Sequence, residues 1–200
     1  MVLGTVLPKT DWDLIADFKG GREAAFTELV SRHKEKAVQL AYLAVGNYED
    51  AKDLSQEAFV KVYPALKGFE MRAKFSTWFY RILMNTVKDF LRKKKWQRFL
   101  ALQADDEKQD FLEKIVDAEA SPGQRILNKE LRHQMTQAIE KLPFKQKWIF
   151  TLRFLEGFAL REIADATELS EGTVKATLHF AIQKFKKELR PYLSEERMTP

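Results

Sequence analysis

The sequence predicts an all-α chain: two helical domains joined by an acidic linker, the C-terminal one containing a helix-turn-helix. Three observations predict it. Apolar residues recur at helical spacing nearly throughout, and no segment alternates like a strand for long. Gly, Pro, Ser and Asn stand where helices must stop and start. Charge is laid out in three blocks, with a net +6 over residues 1–103, −5 over 104–124 and +4 over 125–200. The expected domains are therefore 1–103 and 122–200, with the linker at 104–121.

Residues 12–19 read as a short helix stopped by Gly20 and Gly21. A long helix follows over about 22–45 and ends at Gly46, with Phe26, Leu29, Val30, Ala37, Leu40 and Ala41 on its inner side. Asn47 can cap the next helix, because its side-chain oxygen can accept an orphan backbone N–H, and Glu49 and Asp50 suit the positive end of the helix dipole. That helix runs to about Leu66, with Pro64 expected to bend or stop it. Residues 67–75 read as a loop. Ser76 or Thr77 is the expected cap of a helix that runs into Arg92, Lys93, Lys94 and Lys95.

The stretch 104–120 offers little apolar face beyond Phe111, Leu112, Ile115 and Val116, and reads as a linker with one marginal helical turn. Ser121-Pro122-Gly123-Gln124 is a helix start: Ser caps, Pro fits the first turn, and Gln stands where a capping box wants it. This helix runs to Leu142, and another covers 145–156 before Gly157. A short helix over 160–167, a turn at Glu168-Leu169, and a long helix capped by Ser170 and running through Leu189 complete the chain, with Pro191 as its stop.

Several functional classes are excluded at once. There is no cysteine, so disulfide scaffolds, thiolate zinc sites and thiol nucleophiles are out. No apolar run approaches the roughly 20 residues of a membrane span. Residues 1–10 lack the basic flank and apolar centre of a secretory signal, so no membrane insertion and a cytoplasmic location are expected. The three histidines (His33, His133, His179) are dispersed and read as structural or surface residues. Glu130–His133 is the only Glu-x-x-His pair, where a di-metal bundle needs two, so neither a metal nor any other cofactor is expected. No phosphate loop or Ser/His/Asp spacing supports an enzyme.

The last two helices have helix-turn-helix dimensions. Val174, Leu178, Ala181, Phe185 and Leu189 form an apolar stripe, and Lys175, Ala176, His179, Gln183, Lys186 and Lys187 lie opposite. Phe180 falls off the stripe and reads as a peripheral packing residue, with an interaction handle as the alternative. A plain helical hairpin would show the same periodicity. The residues themselves add more. Gly157-Phe158-Ala159-Leu160-Arg161-Glu162-Ile163-Ala164, then Leu169-Ser170-Glu171-Gly172-Thr173-Val174-Lys175, then Leu178-His179, closely resemble region four of bacterial sigma factors, nearest the extracytoplasmic-function group. The resemblance implies that the last helix reads the promoter's minus-thirty-five element, through Ser170, Glu171, Gly172, Thr173, Lys175, Ala176, His179 and Gln183. Ala159 stands where that family usually has a capping Ser or Thr, worth about 1 kcal/mol. Thr177, Phe180 and Ile182 stand where it often has arginines.

In the N-terminal block, Asp50, Asp53, Gln56, Glu57 and Lys61 share one side of a helix, and by themselves they read as a solvated face. The stripe again resembles the sigma family, in region two, where the Asp-Leu-x-Gln-Glu core docks on the clamp coiled coil of RNA polymerase. The match continues through Lys74-Phe75-Ser76-Thr77-Trp78-Phe79-Tyr80-Arg81-Ile82 and on to Asn85, Asp89, Leu91 and Arg92. Tyr63-Pro64 departs from the aromatic-plus-polar pair more usual there.

Arg81, Asn85, Lys88 and Arg92 make a polar ridge beside Trp78, and cations interleaved with aromatics suit single-stranded nucleic acid. An amphipathic helix with snorkelling basic side chains is the bland alternative. The resemblance implies that this helix and the 67–75 loop open and hold the minus-ten element, with one base flipped into a pocket at the loop. The residues it assigns there are Lys67, Arg72, Lys74, Phe75, Thr77, Trp78, Arg81, Asn85, Lys88 and Arg92.

The implied function is a sigma factor directing transcription initiation at one regulon, in this group commonly a stress response. Its implied partners are core RNA polymerase (clamp coiled coil and flap) and promoter DNA, both duplex and unpaired non-template strand. An anti-sigma protein is common in the group, though nothing in this sequence encodes one. The 104–121 linker spans up to ~60 Å if extended, and a turn of DNA spans about 34–36 Å. Two tethered blocks can therefore reach elements more than a turn apart. An ordinary duplex-binding regulator would account for the C-terminal pair of helices but leaves Asp53, Gln56 and Glu57 without a task.

Overall fold

The computed structural model describes residues 8–101, 131 and 133–195. The linker at 104–121, its marginal turn, the start at Ser121-Pro122-Gly123-Gln124 and residues 1–7 lie outside the described residues. Among those described, every regular element is a helix.

Helix α1 (Asp11–Lys19) starts one residue before the expected position because Thr10 and Asp13 cap it reciprocally. The Thr10 hydroxyl accepts from the Asp13 N–H at 3.3 Å, and the Asp13 carboxylate accepts from the Thr10 N–H at 2.8 Å. Helix α2 (Ala24–Val45) ends where Gly46 turns to φ +76°, a conformation that only glycine adopts without cost. Helix α3 (Tyr48–Ala65) is capped as expected by Asn47, whose side chain accepts from the Asp50 N–H at 3.0 Å. Pro64 stands in its last turn, and the chain tightens at once into a 3-10 turn, Leu66–Gly68.

Helix α4 (Phe75–Ala101) corrects the expected start. It begins at Phe75 rather than under a cap from Ser76 or Thr77, since Thr77 lies inside it and is buried. It also runs beyond the basic string. Phe75, Phe79, Leu83 and Val87 recur every four residues on its buried side, and Phe79 stacks on Phe59 of α3 at 4.5 Å. These residues, with Leu14, Ile15, Leu29, Leu40 and Leu54, make the core of the N-terminal group.

Among the described residues, the C-terminal group has a helix α5 over 133–140, followed by α6 (Phe144–Phe154) just after Pro143, α7 (Leu160–Thr167) and α8 (Glu171–Glu195). Trp148, Ile149, Leu152, Ile163, Val174 and Ala181 form its core. Helix α8 does not stop before Pro191 but passes through it to Glu195. Pro191 is exposed, so the turn it disrupts lies at the surface, where the break costs less than it would in a core. The turn between α7 and α8 places Glu168 in the left-handed region at φ +58°. The two groups touch: α7 packs on α4 and α6 reaches α2.

Candidate nucleic-acid interface

Three surfaces carry the residues singled out in the sequence. On α3, Asp53, Gln56 and Glu57 point outward and are exposed at helical spacing. The buried neighbours Leu54, Ser55 and Ala58 fix that orientation against the core. Lys61 closes the stripe, 2.7 Å from Glu57, and also donates to the Thr86 hydroxyl at 3.0 Å. Asp50 stands apart from them. It is half-buried and its carboxylate lies 3.3 Å from Lys94 of α4, so it joins two helices.

On α4 the expected ridge exists. Asn85, Lys88 and Arg92 are exposed and Arg81 is partly so, all on the side away from Leu83 and Val87. Arg92 pairs locally with Asp89 at 3.1 Å. Lys67 and Arg72 lie exposed on the loop, Arg72 2.9 Å from Glu70. Trp78 is half-buried, with its ring 4.7 Å from Phe69. A cavity of about 380 Å³ lies where loop and helix meet, lined by Phe69, Arg72, Thr77, Trp78 and Arg81 among others.

The structure buries two of the assigned residues. Phe75 is 2% exposed, parallel to Phe79 at 5.8 Å and 5.0 Å from the His33 ring, so it belongs to the core. Thr77 is 3% exposed, and its buried hydroxyl has no hydrogen-bond partner. Sequence reasoning missed two aromatics that extend the platform. Trp12 stacks on Phe69 at 6.2 Å and 12°, and Phe69 in turn meets Trp78. Phe69 carried a signal, an aromatic ring in a loop with Lys67, Glu70, Arg72 and Lys74; Trp12, on another helix, carried none.

On α8, Ser170, Glu171, Gly172, Thr173, Lys175, Ala176, His179 and Gln183 are all exposed, as a groove-reading face requires. The Ser170 hydroxyl accepts from the Thr173 N–H at 3.1 Å and so caps the helix. Val174 and Leu178 anchor the opposite side against α7, whose Ile163 and Ala164 are buried. Ala159 supplies no side-chain cap to α7, but the other half of a capping box is present: the Glu162 carboxylate accepts from the Ala159 N–H at 2.8 Å. Phe180 is 58% exposed, which corrects its expected packing role.

Elements of the C-terminal group stand against the α4 surface. Lys74 lies 2.7 Å from Glu162, Arg81 3.7 Å from Glu168, and Asp165 lines the cavity. Hydrogen bonding to Lys74 is the largest effect holding the Glu162 carboxyl below its ordinary value. Burial, with the Glu156 carboxylate 3.5 Å away, pushes the Tyr80 phenol well above the usual range.

Comparison with known proteins agrees in both halves. The family model for Sigma-70 region 2 matches residues 29–97, and that for Sigma-70 region 4 matches residues 132–185. The chain is similar to the ECF RNA polymerase sigma factor SigW of Bacillus subtilis, 34% identical over 177 residues, covering 88% of this chain and 95% of that one. It is also similar to the ECF RNA polymerase sigma-E factor of Escherichia coli, 32% identical over 191 residues, covering 92% and 96%. Among solved structures it is similar to CnrH in complex with the cytosolic domain of CnrY, with a TM-score of 0.64 at 21% identity, covering 92% and 99%. It is similar as well to the sigma factor RpoE in complex with the anti-sigma factor NepR from Bartonella quintana, with a TM-score of 0.68 at 18% identity, covering 82% and 96%. These two show the fold.

Proposed function

We infer how this chain works from a plain premise: it belongs to the extracytoplasmic-function sigma factors, the promoter-specificity subunits of bacterial RNA polymerase. Its function is to bind core polymerase and direct transcription initiation. The division of labour among its residues is our proposal, with domains at 1–103 and 122–200 and the linker at 104–121.

The observation that carries the proposal is the joint exposure of three chemically distinct surfaces on one chain. The acidic stripe Asp53, Gln56, Glu57, with Lys61 at its end, docks on the clamp of core polymerase. Asp50 contributes by fixing α3 to α4 through Lys94. The ridge Arg81, Asn85, Lys88, Arg92, with Lys67, Arg72, Lys74 and Trp78, holds the unpaired minus-ten strand: cations neutralise phosphates, an amide reads a base edge and an aromatic stacks. The cavity beside Trp78 fits a flipped base. Thr77 lines that cavity while almost wholly buried, and Phe75 belongs to the core rather than to the DNA contacts. The exposed face of α8, from Ser170 to Gln183, enters the duplex at the minus-thirty-five element.

No covalent chemistry is required of the chain, and we propose that it is not an enzyme. Each base stacked on an aromatic contributes ~1–3 kcal/mol, comparable with the ~1.4 kcal/mol of a lost base-pair step. Melting can thus be driven by binding alone. No described helix is long and apolar enough to cross a membrane, and we propose that the chain works with core polymerase in the cytoplasm. An anti-sigma protein, the class of partner named in one of the similar structures, is proposed as its restraint.

In-vitro transcription with core polymerase on a pooled promoter library tests the assignment. The expected result is start sites that share two spaced elements and appear only when the chain is present. Core polymerase that neither retains the chain nor starts transcripts with it would sink the reading.

A further inference from the structure

The loop that forms one wall of the cavity does little to hold its own shape. Between the 3-10 turn and α4, residues 69–74 belong to no regular element. Met71 stands in the left-handed region at φ +58°, where a residue with a Cβ sits uphill and stays only if its surroundings hold it. The ion pair inside the loop, Glu70 with Arg72, is exposed and contributes little. Among the described residues, no backbone N–H reaches the Phe69 carbonyl.

The hold comes from α1. Lys19, fifty residues earlier in the chain, donates from Nζ to the Phe69 carbonyl at 2.6 Å. Trp12, two turns before Lys19, lays its ring within 12° of parallel to that of Phe69, which is buried. Helix α1 is a firm base for both, with Leu14, Ile15 and Phe18 buried and its start closed by the Thr10–Asp13 capping box. It also lies outside the stretch matched by the region 2 family model, which begins at residue 29.

We propose that Lys19 and Trp12 are positioning residues for base recognition: they fix Phe69, and through it the loop wall of the cavity, so that α1 sets which base the minus-ten pocket accepts. The two walls have different origins. Thr77, Trp78 and Arg81 come from α4, which the core holds, whereas Phe69, Glu70 and Arg72 come from the loop. Lys88 and Arg92, which meet phosphates in the reading above, lie farther along α4 and do not depend on the loop. A charge-assisted hydrogen bond and a ring pair are both directional, so losing either lets the loop relax. The relaxed loop changes the shape that the base meets and leaves the phosphate contacts in place. Specificity is a difference between the affinities for competing bases, and that difference is the quantity α1 controls.

This role rests on the minus-ten assignment of the cavity, and the test separates the two. Holoenzyme rebuilt from core polymerase and the unmodified, K19M, W12A, W12F or W78A chain transcribes the pooled promoter library, and base preference is read at every promoter position. K19M and W12A are each expected to lower the ratio of preferred to other bases at one minus-ten position ~fivefold, the share of a single hydrogen bond or ring pair. Preferences in the minus-thirty-five element should not move, and W12F, which keeps a ring, should retain the minus-ten ratio. An unchanged ratio in K19M or in folded W12A would overturn the role of α1. So would a lower yield from every promoter at unaltered preference, or a relaxation spread evenly over both elements, since a merely structural role gives those results. If W12A does not fold, K19M, at an exposed lysine, decides alone. If the unmodified chain shows no minus-ten base preference, or W78A at the cavity itself leaves every preference intact, the cavity assignment fails and the role of α1 fails with it.

Discussion

His33 of α2 holds its Nε2 atom 2.8 Å from the Asp11 carboxylate of α1, and the same carboxylate receives Arg32 at 3.2 Å. One acid at the start of the first helix thereby ties down two side chains of the second. The hydrogen bond to His33 is the largest effect holding the Asp11 carboxyl below its ordinary value of 3.8.

A carboxyl depressed in the folded state contributes stability that is present above its unfolded value and is lost as pH falls through the folded one. D11N is therefore expected to cost about 1 kcal/mol near neutral pH. It should also flatten the loss of stability on acidification below about pH 4. Urea midpoints for both proteins across that range check it. Parallel curves for the two would show that the contact contributes nothing to the pH dependence.

Phe79 is fully buried, sandwiched between Phe59 at 4.5 Å and Phe75 at 5.8 Å. F79A opens a cavity between α3 and α4 and should destabilise the chain by ~3–5 kcal/mol. K88A on the exposed ridge of the same helix should change stability by less than about 0.5 kcal/mol. It should instead weaken minus-ten DNA binding. Denaturant melts and oligonucleotide binding on the two variants separate packing from recognition.

The contrast also explains what the sequence could and could not reveal. The apolar stripe of α4 and its polar ridge were legible because both follow from local period alone. So were the caps at Asn47 and Ser170, each set by a side chain reaching backbone three residues away. What local pattern does not carry is long-range packing. Phe75 and Thr77 looked accessible because they adjoin Lys74 and Trp78, yet the rings of His33 and Phe79 pack on Phe75, and Thr77 is buried as well. Trp12 joins the aromatic platform from a helix more than fifty residues away from Phe69. The end of α8 was misplaced for another reason. The break a proline makes costs most in a core, and Pro191 lies at the surface.

Asp53 and Glu57 are exposed one helical turn apart, with Leu54 and Ala58 buried behind them. Reversing both charges, D53R with E57R, leaves the core untouched and should change stability by no more than about 0.5–1 kcal/mol. Retention of core polymerase in a pull-down is expected to be abolished, while oligonucleotide binding by the isolated chain persists. Retention equal to the unmodified chain would move polymerase docking off this face.

Ser170 and Lys175 separate positioning from contact on α8. The Ser170 hydroxyl caps the helix through the Thr173 N–H, so S170A should cost about 1 kcal/mol of stability. Its effect on DNA affinity should hardly vary with salt, because a hydroxyl releases no counterion. Lys175 is exposed near the start of α8, where it is proposed to meet a phosphate. If about five cations of the chain contact phosphates, log affinity should fall against log salt with a slope near −4 to −5. K175A should make that slope shallower by roughly 0.9 and leave stability nearly unchanged. Binding titrations over a salt series with a minus-thirty-five duplex decide the matter: an unchanged slope would take Lys175 off the backbone.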